Sequence, residues 1–318
     1  MSKIIATIGP RTESKESLKE LSALGVKIFR LNLSHNSIEW HIKVINNIRN
    51  VSPSSTILAD IPGRKIRTTF NVSKEKFKKD QKIYLVSNDF TEGGLKSNYI
   101  YEVNNNILFN MAEKGMIIYA DDGRLSFEVE NVHNKIIQLK AKCDGFLKEC
   151  KGINIPDSLF GKEELTQKDK YFLDFCCHHK IDFVGISFVD KADYMKKIQG
   201  YIGGRHPKAV AKIENSSAII NLSEILDISY AIMIDRGDLS VETNPNKIGI
   251  FQKDILTEAN KLGVPVIVAT EMLHSMQESI HPTKAECNDI TNSVLDSASC
   301  LMLSGETAVG KNPNESIK

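Results

Sequence analysis

The sequence predicts an α/β fold of the (β/α)8 barrel class, with a small β-barrel-like domain inserted after the third strand. Three observations carry this. Eight short apolar runs end in polar residues, amphipathic stretches of helical period separate them, and one long interval, 69–151, alternates apolar and charged residues instead. Continuous apolar runs are the pattern of strands buried on both faces of a parallel sheet.

Taken in order, the predicted strands are 4–9, 27–34, 55–60, 183–189, 209–215, 230–235, 264–271 and 300–305. Helical patterns fall between them at 16–25, 37–50 and 191–204, with Gly25 as a stop for the first. The interval 69–151 holds KIYLV, IIYADDGRLSFEV and KIIQLKAKC, and DDG at 121–123 reads as a hairpin turn. Asp121 and Asp122 are therefore read as turn formers rather than as a second metal site. This divides the chain into a barrel, 1–68 and 152–318, and an inserted β-rich lid, 69–151. Setting the insert aside leaves a length close to the roughly 250 residues typical of the barrel. After the eighth strand only ETAVGKNPNESIK remains, so either the last helix is missing or another chain covers that strip, as in a homo-oligomer.

The bulk properties are those of an ordinary globular chain: 318 residues, 41% hydrophobic, 25% charged, net charge +1. Near-neutral charge gives no reason to expect nucleic acid or a membrane surface as partner. No apolar run reaches the length of a membrane span, and MSKIIATIGP does not read as a secretory signal. Six cysteines without framework spacing suit a reducing cytoplasm. CCHH at 176–179 suggests zinc at first sight, but four consecutive helical residues point in different directions and cannot close on one ion. His178 and His179 are read as a helix end.

In such barrels the active site lies at the C-terminal ends of the strands. Those ends carry Arg30, Asn32, Ser34 and His35; Asp60, Arg64, Lys65 and Arg67; Lys212 and Glu214; Arg236, Gly237 and Asp238; Thr270 and Glu271; Ser304 and Glu306. In VAKIENS (210–216) a strand period of two sets Lys212 and Glu214 on one face. Taken alone that is a surface ion pair. Repetition of charge at the same end of strand after strand makes it a site. Glu214 and Asp238 offer hard oxygens suited to Mg2+ or Mn2+, Lys212 meets an anion, and Arg30 and Arg67 suit phosphate. Gly237 allows backbone N–H groups to approach a carboxylate. Such equipment serves phosphoryl transfer or enolate stabilisation. Neither GxxxxGK[ST] nor GxGxxG occurs, so a nucleotide is bound in another way.

These residues, in this order, resemble the pyruvate kinase family. The matching motifs are TIGP (7–10), RLNLSH (30–35), IRT (66–68), KGIN (151–154), KIEN (212–215), RGDL (236–239), AT-ML (269–273), HPT-AE (281–286) and LSGETA (303–308). The resemblance implies transfer of the phosphoryl group of phosphoenolpyruvate to ADP, giving pyruvate and ATP. It implies Glu214 and Asp238 as Mg2+ ligands and Lys212 as the charge that stabilises the moving phosphoryl and the enolate. It implies Thr270 with Ser304 at the protonation step, and backbone N–H groups of Gly237 and Asp238 for the substrate carboxylate. Arg30 and Arg67 match phosphate-contacting arginines, and Lys151 a lid lysine that reaches nucleotide phosphates. Pro10, His35 and Trp40 match the adenosine site, Trp40 replacing a tyrosine. Asn32, Ser34 and Asp60 match the monovalent-cation site.

The sequence also departs from the family. It reads DIPGRKIRT (60–68) where DTKGPEIRT is usual. Lys65 replaces a glutamate, and a lysine there goes with independence from K+, so K+ is expected not to be required. Pro62 and Arg64 alter the loop that approaches the phosphate. Asp235 stands where a small residue is usual, Ser240 replaces glycine and Glu271 replaces glutamine. Asp235 and Glu271 either neutralise the added basic charge, reshape the pocket, or are drift in a tolerant site. Typical members continue into an effector-binding α/β domain, and nothing follows Lys318, so that allostery is expected to be absent. Two other readings stand beside the first: a barrel enzyme with another phosphoryl acceptor or keto acid, and a non-catalytic regulator.

Overall fold

In the computed structural model the described residues are 2–63, 65–71, 75–90, 95, 97–121, 123–156, 165–204 and 206–318. Arg64 and Asp122, singled out above, lie outside them. The strands, in chain order, are β1 (Lys3–Thr7), β2 (Ile28–Asn32) and β3 (Thr56–Asp60), then β4 (Ile66–Asn71), β5 (Lys82–Ser87), β6 (Ile100–Val103) and β7 (Ile117–Ala120). They continue as β8 (Leu125–His133), β9 (Ile136–Ala141), β10 (Gly152–Asn154), β11 (Phe183–Ile186), β12 (Lys208–Ile213), β13 (Ala231–Asp235), β14 (Val266–Ala269) and β15 (Cys300–Leu303).

All eight apolar runs form strands of one closed parallel barrel, in the order β1-β15-β14-β13-β12-β11-β3-β2. The interval between β3 and β11 supplies a second closed barrel, β10-β4-β6-β5-β9-β8-β7. Its strands run from Ile66 to Asn154, a few residues outside the expected 69–151, so Arg67 lies on a strand of the small barrel.

The period of two sorts the large barrel's side chains. Outward residues of β12, Ala209, Ala211 and Ile213, pack with the surrounding helices, such as Ile38–Val51 and Ala192–Ile202, in one extended core. Inward residues Ile5, Leu58, Val210, Met233, Ile267 and Met302 fill the barrel's interior. One step further along the same inward face the residues turn polar: Thr7 after Ile5, Asp60 after Leu58, Lys212 after Val210, Asp235 after Met233. The apolar layer is thus the floor of the site. Gly185 on β11 is required here, because a Cβ at that position would lie 2.0 Å from Asp60 Oδ1.

The strands stop earlier than the sequence suggests. The expected strand 264–271 ends at Ala269, because Thr270 and Glu271 take left-handed φ angles of 67° and 54°. That break turns the Thr270 side chain across the barrel mouth. The small barrel meets the large one at the same end. Asn154 Nδ2 donates to Glu242 Oε1 at 2.7 Å, and Phe188 packs into the small barrel's core. Cys176 is buried, while His178 is exposed at the end of the helix Gln167–His178.

Candidate active site

The inward polar layer and the strand–helix turns above it make one cleft of about 360 Å3. Arg30 holds Asp60 Oδ2 through Nε at 2.9 Å and Nη2 at 2.6 Å, and reaches Thr7 Oγ1 with Nη1 at 3.2 Å. Lys212 is the hub. Its ammonium lies 2.5 Å from Glu214 Oε1, 3.0 Å from Asp235 Oδ2 and 3.9 Å from Asp60 Oδ2. It also donates to Ser187 Oγ at 3.4 Å. The pairing read from VAKIENS is therefore real, and it is buried: Lys212 is 5% exposed and Glu214 0%.

Burial on this scale costs several kcal/mol per ion unless charges compensate. Burial pulls the Lys212 ammonium towards losing its proton, yet Glu214, Asp235 and Asp60 outweigh it and hold the group well above its ordinary value. Burial would also raise Asp235, but Lys212, followed by Lys65 and Arg30, brings it down to about 2. Glu214 goes the other way. Burial pushes it up to about 8 against the pull of Lys212, with Asp235 and Asp238 adding repulsion.

Strand register explains why these groups meet. Ile213 on β12 is level with Ile234 on β13, so the next residues, Glu214 and Asp235, stand side by side. Asp238 follows in the first turn of the helix Arg236–Glu242. Carboxylate oxygens of Glu214, Asp235 and Asp238 lie within 4.8 Å of one another. Glu214 Oε2 accepts from Phe188 N–H at 2.7 Å. Its Oε1 lies against the Lys212 ammonium, buried inside the cluster. Three clustered carboxyl groups offer the hard oxygens that a divalent cation takes, once Glu214 gives up its proton as the ion binds. The Lys65 ammonium lies 2.5 Å from Asp238 Oδ1, beside an expected cation ligand. In the expected monovalent-cation site, Asn32 Oδ1 accepts from Ser34 N–H at 3.1 Å and Asp60 is engaged by Arg30.

Thr270 is anchored from the first turn of the helix that follows β13. Arg236 donates to Thr270 O through Nη2 at 2.7 Å and Nε at 3.1 Å, and is itself held by Asp289 at 2.6 Å. The Gly237 N–H, expected to meet a substrate carboxylate, donates here to Thr270 Oγ1 at 2.8 Å. Ser304 Oγ lines the cleft and is buried without a hydrogen-bond partner among the described residues.

Arg30, Asn32, Ser34, Asp60, Lys65, Arg67, Lys212, Gly237, Asp238, Thr270 and Ser304 all line the cleft, and Glu214 lies buried behind it. The adenosine residues and the lid lysine do not line it. Pro10 is exposed, and Trp40 packs edge-on to His41 with its indole N–H on Glu13. Lys151 pairs with Asp121 at 2.6 Å. His35 is exposed, and partial desolvation together with Arg67, Arg30, Lys151 and Lys65 keeps its imidazole below its ordinary value. Of the departures, Pro62, Asp235 and Glu271 line the cleft, while Ser240 Oγ donates to Gly237 O at 2.8 Å.

Sequence reasoning missed Arg124, Ser187, His274 and Gln277, which also line the cleft. The one available signal was for Arg124, a cation directly after the DDG turn at a hairpin tip. That tip rests on the large barrel: a Cβ at Gly123 would lie 3.3 Å from Val241.

Residues 1–317 match the family model described as pyruvate kinase, barrel domain. The chain belongs to the pyruvate kinase family. It is 37% identical over 321 residues to a pyruvate kinase of Trypanoplasma borreli, covering 99% of this chain and 64% of that protein. A pyruvate kinase of Thermococcus litoralis is 36% identical over 99% of this chain and 67% of its own length. One from Thermotoga maritima is 35% identical, over 99% and 68%. The chain thus spans about two thirds of the length of these pyruvate kinases. The cleft lies within the matched region.

Proposed function

We propose that this chain carries a pyruvate kinase centre, moving the phosphoryl group of phosphoenolpyruvate to ADP and giving pyruvate and ATP. The observation that carries it is the buried Lys212 ammonium, held among Glu214, Asp235 and Asp60 at the mouth of a cleft that also presents Arg30 and Arg67. Mg2+ or Mn2+ at Glu214 and Asp238 would hold substrate oxygens and offset the charge of the enolate. Lys212 faces the phosphoryl as the bond to the enol oxygen breaks and the bond to the ADP oxygen forms, and spreads its charge. Arg67 shares that charge, and Arg30 fixes Asp60 and the phosphate side of the cleft. The enolate left behind takes a proton at its methylene carbon, with Thr270 and Ser304 as the hydroxyls on that side. Lys151 and Arg124, on the small barrel, reach the nucleotide phosphates when that barrel closes and excludes water. Pro10, His35 and Trp40 hold the adenosine, and K+ is not required. Six free thiols fit a cytoplasmic setting.

Pro62, Asp235 and Glu271 in the cleft favour a second reading, in which the acceptor or keto acid differs. A coupled assay of pyruvate formation from phosphoenolpyruvate and ADP with Mg2+, run with and without K+, separates the two. Turnover supports the first reading. Folded protein that binds Mn2+ yet forms no pyruvate supports the second.

A further inference from the structure

We infer that Asp235 is a third carboxylate ligand of the divalent-cation site, beside Glu214 and Asp238. The inference rests on the cation site of the proposed function, but not on the identity of the phosphoryl acceptor.

The reasoning is one of charge and reach. An ammonium stands 2.5 Å from each expected ligand, Lys212 on Glu214 and Lys65 on Asp238. With Glu214 ionised, as a metal ligand must be, two carboxylates so paired present no net charge to a dication. Asp235 supplies it, so that three carboxylates face two ammonium groups. Its reach is also right. The register of β12 and β13 sets it beside Glu214, and its oxygen lies within 4.8 Å of those of Glu214 and Asp238. Oxygens this close together are placed to share one ion. The two Asp235 oxygens are divided between tasks. Oδ2 lies 3.0 Å from Lys212, while Oδ1 lies 3.7 Å from where a Gly237 Cβ would be, at the start of the turn that carries Asp238. Asp235 is 6% exposed, and a buried carboxylate with one oxygen outside the lysine's grasp is suited to an ion. Three protein oxygens leave half of an octahedral shell for substrate and water.

The test is Mn2+ binding to the purified chain without substrate, read from the electron-paramagnetic-resonance signal of free Mn2+. Asp235→Asn and Asp235→Ser are expected to weaken binding by more than the roughly 10- to 100-fold that follows loss of a group merely supporting a ligand. The loss persists when Lys212→Met is already present, because it does not pass through the lysine. Proton relaxation shows one more exchangeable water on Mn2+ bound to Asp235→Asn. Near-ultraviolet circular dichroism confirms that each variant folds, and the water count stands as the deciding measurement should the double variant not fold. Unchanged affinity and unchanged water count in Asp235→Asn overturn the proposal and leave Asp235 as the counter-ion of Lys212. A loss confined to the Lys212-containing background overturns it in the same way. Wild-type protein that binds no Mn2+ overturns both this proposal and the cation site beneath it. Loss of Mn2+ affinity in Asp235→Asn together with absent pyruvate formation upholds this site and removes only the proposed reaction.

Discussion

The Lys65 ammonium and the Asp238 carboxylate meet at 2.5 Å, joining the segment that leads into the small barrel to the first helical turn after β13. Both side chains are about 11% exposed, so the pair is shielded from salt. Asp60, the other carboxylate near the expected monovalent-cation site, already carries Arg30 at 2.6 Å and lies 3.9 Å from Lys212. A further monovalent cation there meets five fixed positive groups, Arg30, Lys65, Arg67, Arg124 and Lys212, lining one cleft. Pyruvate formation is therefore expected to be the same with and without K+. Lys65→Glu is expected to lower turnover in K+-free buffer by about tenfold or more, the scale of one lost charge-assisted contact, and to regain it on adding K+. Dependence of the wild-type chain on K+ would remove this role for Lys65.

Lys212→Met carries two separable consequences. Removing the charge opposite the phosphoryl is expected to lower kcat by at least about 100-fold, the scale of one lost electrostatic stabiliser. It also leaves Glu214 and Asp235 buried without their ammonium, which costs about 3–5 kcal/mol of stability when no cation replaces it. Thermal unfolding should therefore show a lowered Tm in chelator that Mg2+ restores, while turnover stays lost. Turnover near the wild-type rate in this variant would show that another group faces the phosphoryl.

What was legible in the sequence followed from periodicity. The eight barrel strands were readable because each is buried on both faces, and the Lys212–Glu214 pair was readable because a strand repeats every two residues. Neighbours across strands were not. Asp235 stood out as a departure, but its contact with Lys212 depends on the register of β12 and β13, which no local pattern encodes. The end of β14 was misread because VPVIVATE continues a strand pattern, whereas Arg236 and Gly237 bind Thr270 into a left-handed turn. Arg124 enters the cleft only because the small barrel folds back, a relationship between two barrels rather than between adjacent residues.

Arg124 itself is open to test. It lines the cleft from a hairpin tip and is exposed, so its removal disturbs no core. Arg124→Met is expected to leave Tm nearly unchanged, within about 0.5 kcal/mol of stability. Its effect should fall on the KM of a phosphorylated substrate, raised about tenfold for one lost charge-assisted contact, with kcat less affected. Equal KM values for phosphoenolpyruvate and ADP in variant and wild type would take Arg124 out of the site.

The HPT-AE motif, read as a family mark, proves to brace the cleft wall through Glu286. Thr283 and Glu286 form a capping box at the start of the helix Lys284–Leu295. The same carboxylate accepts from Ser275 N–H at 2.7 Å and Ser275 Oγ at 2.5 Å, fixing the turn His274–Gln277 whose ends line the cleft. Burial alone would raise its pKa, but the hydrogen bonds from Ser275 and Thr283 bring it from 4.5 down to about 2. A folded value below the unfolded one means that the ionised carboxylate contributes stability above about pH 4.5, and that this contribution is lost as pH falls through about 2. Glu286→Ala is expected to cost about 0.5–2 kcal/mol at pH 7, the usual price of a helix cap. Glu286→Gln keeps the shape without the charge, so its deficit relative to wild type should narrow steadily as pH drops from 4.5 towards 2. A deficit that stays constant over that window, measured by denaturant unfolding, would show that the charge of Glu286 is not what holds Ser275 and the cleft wall in place.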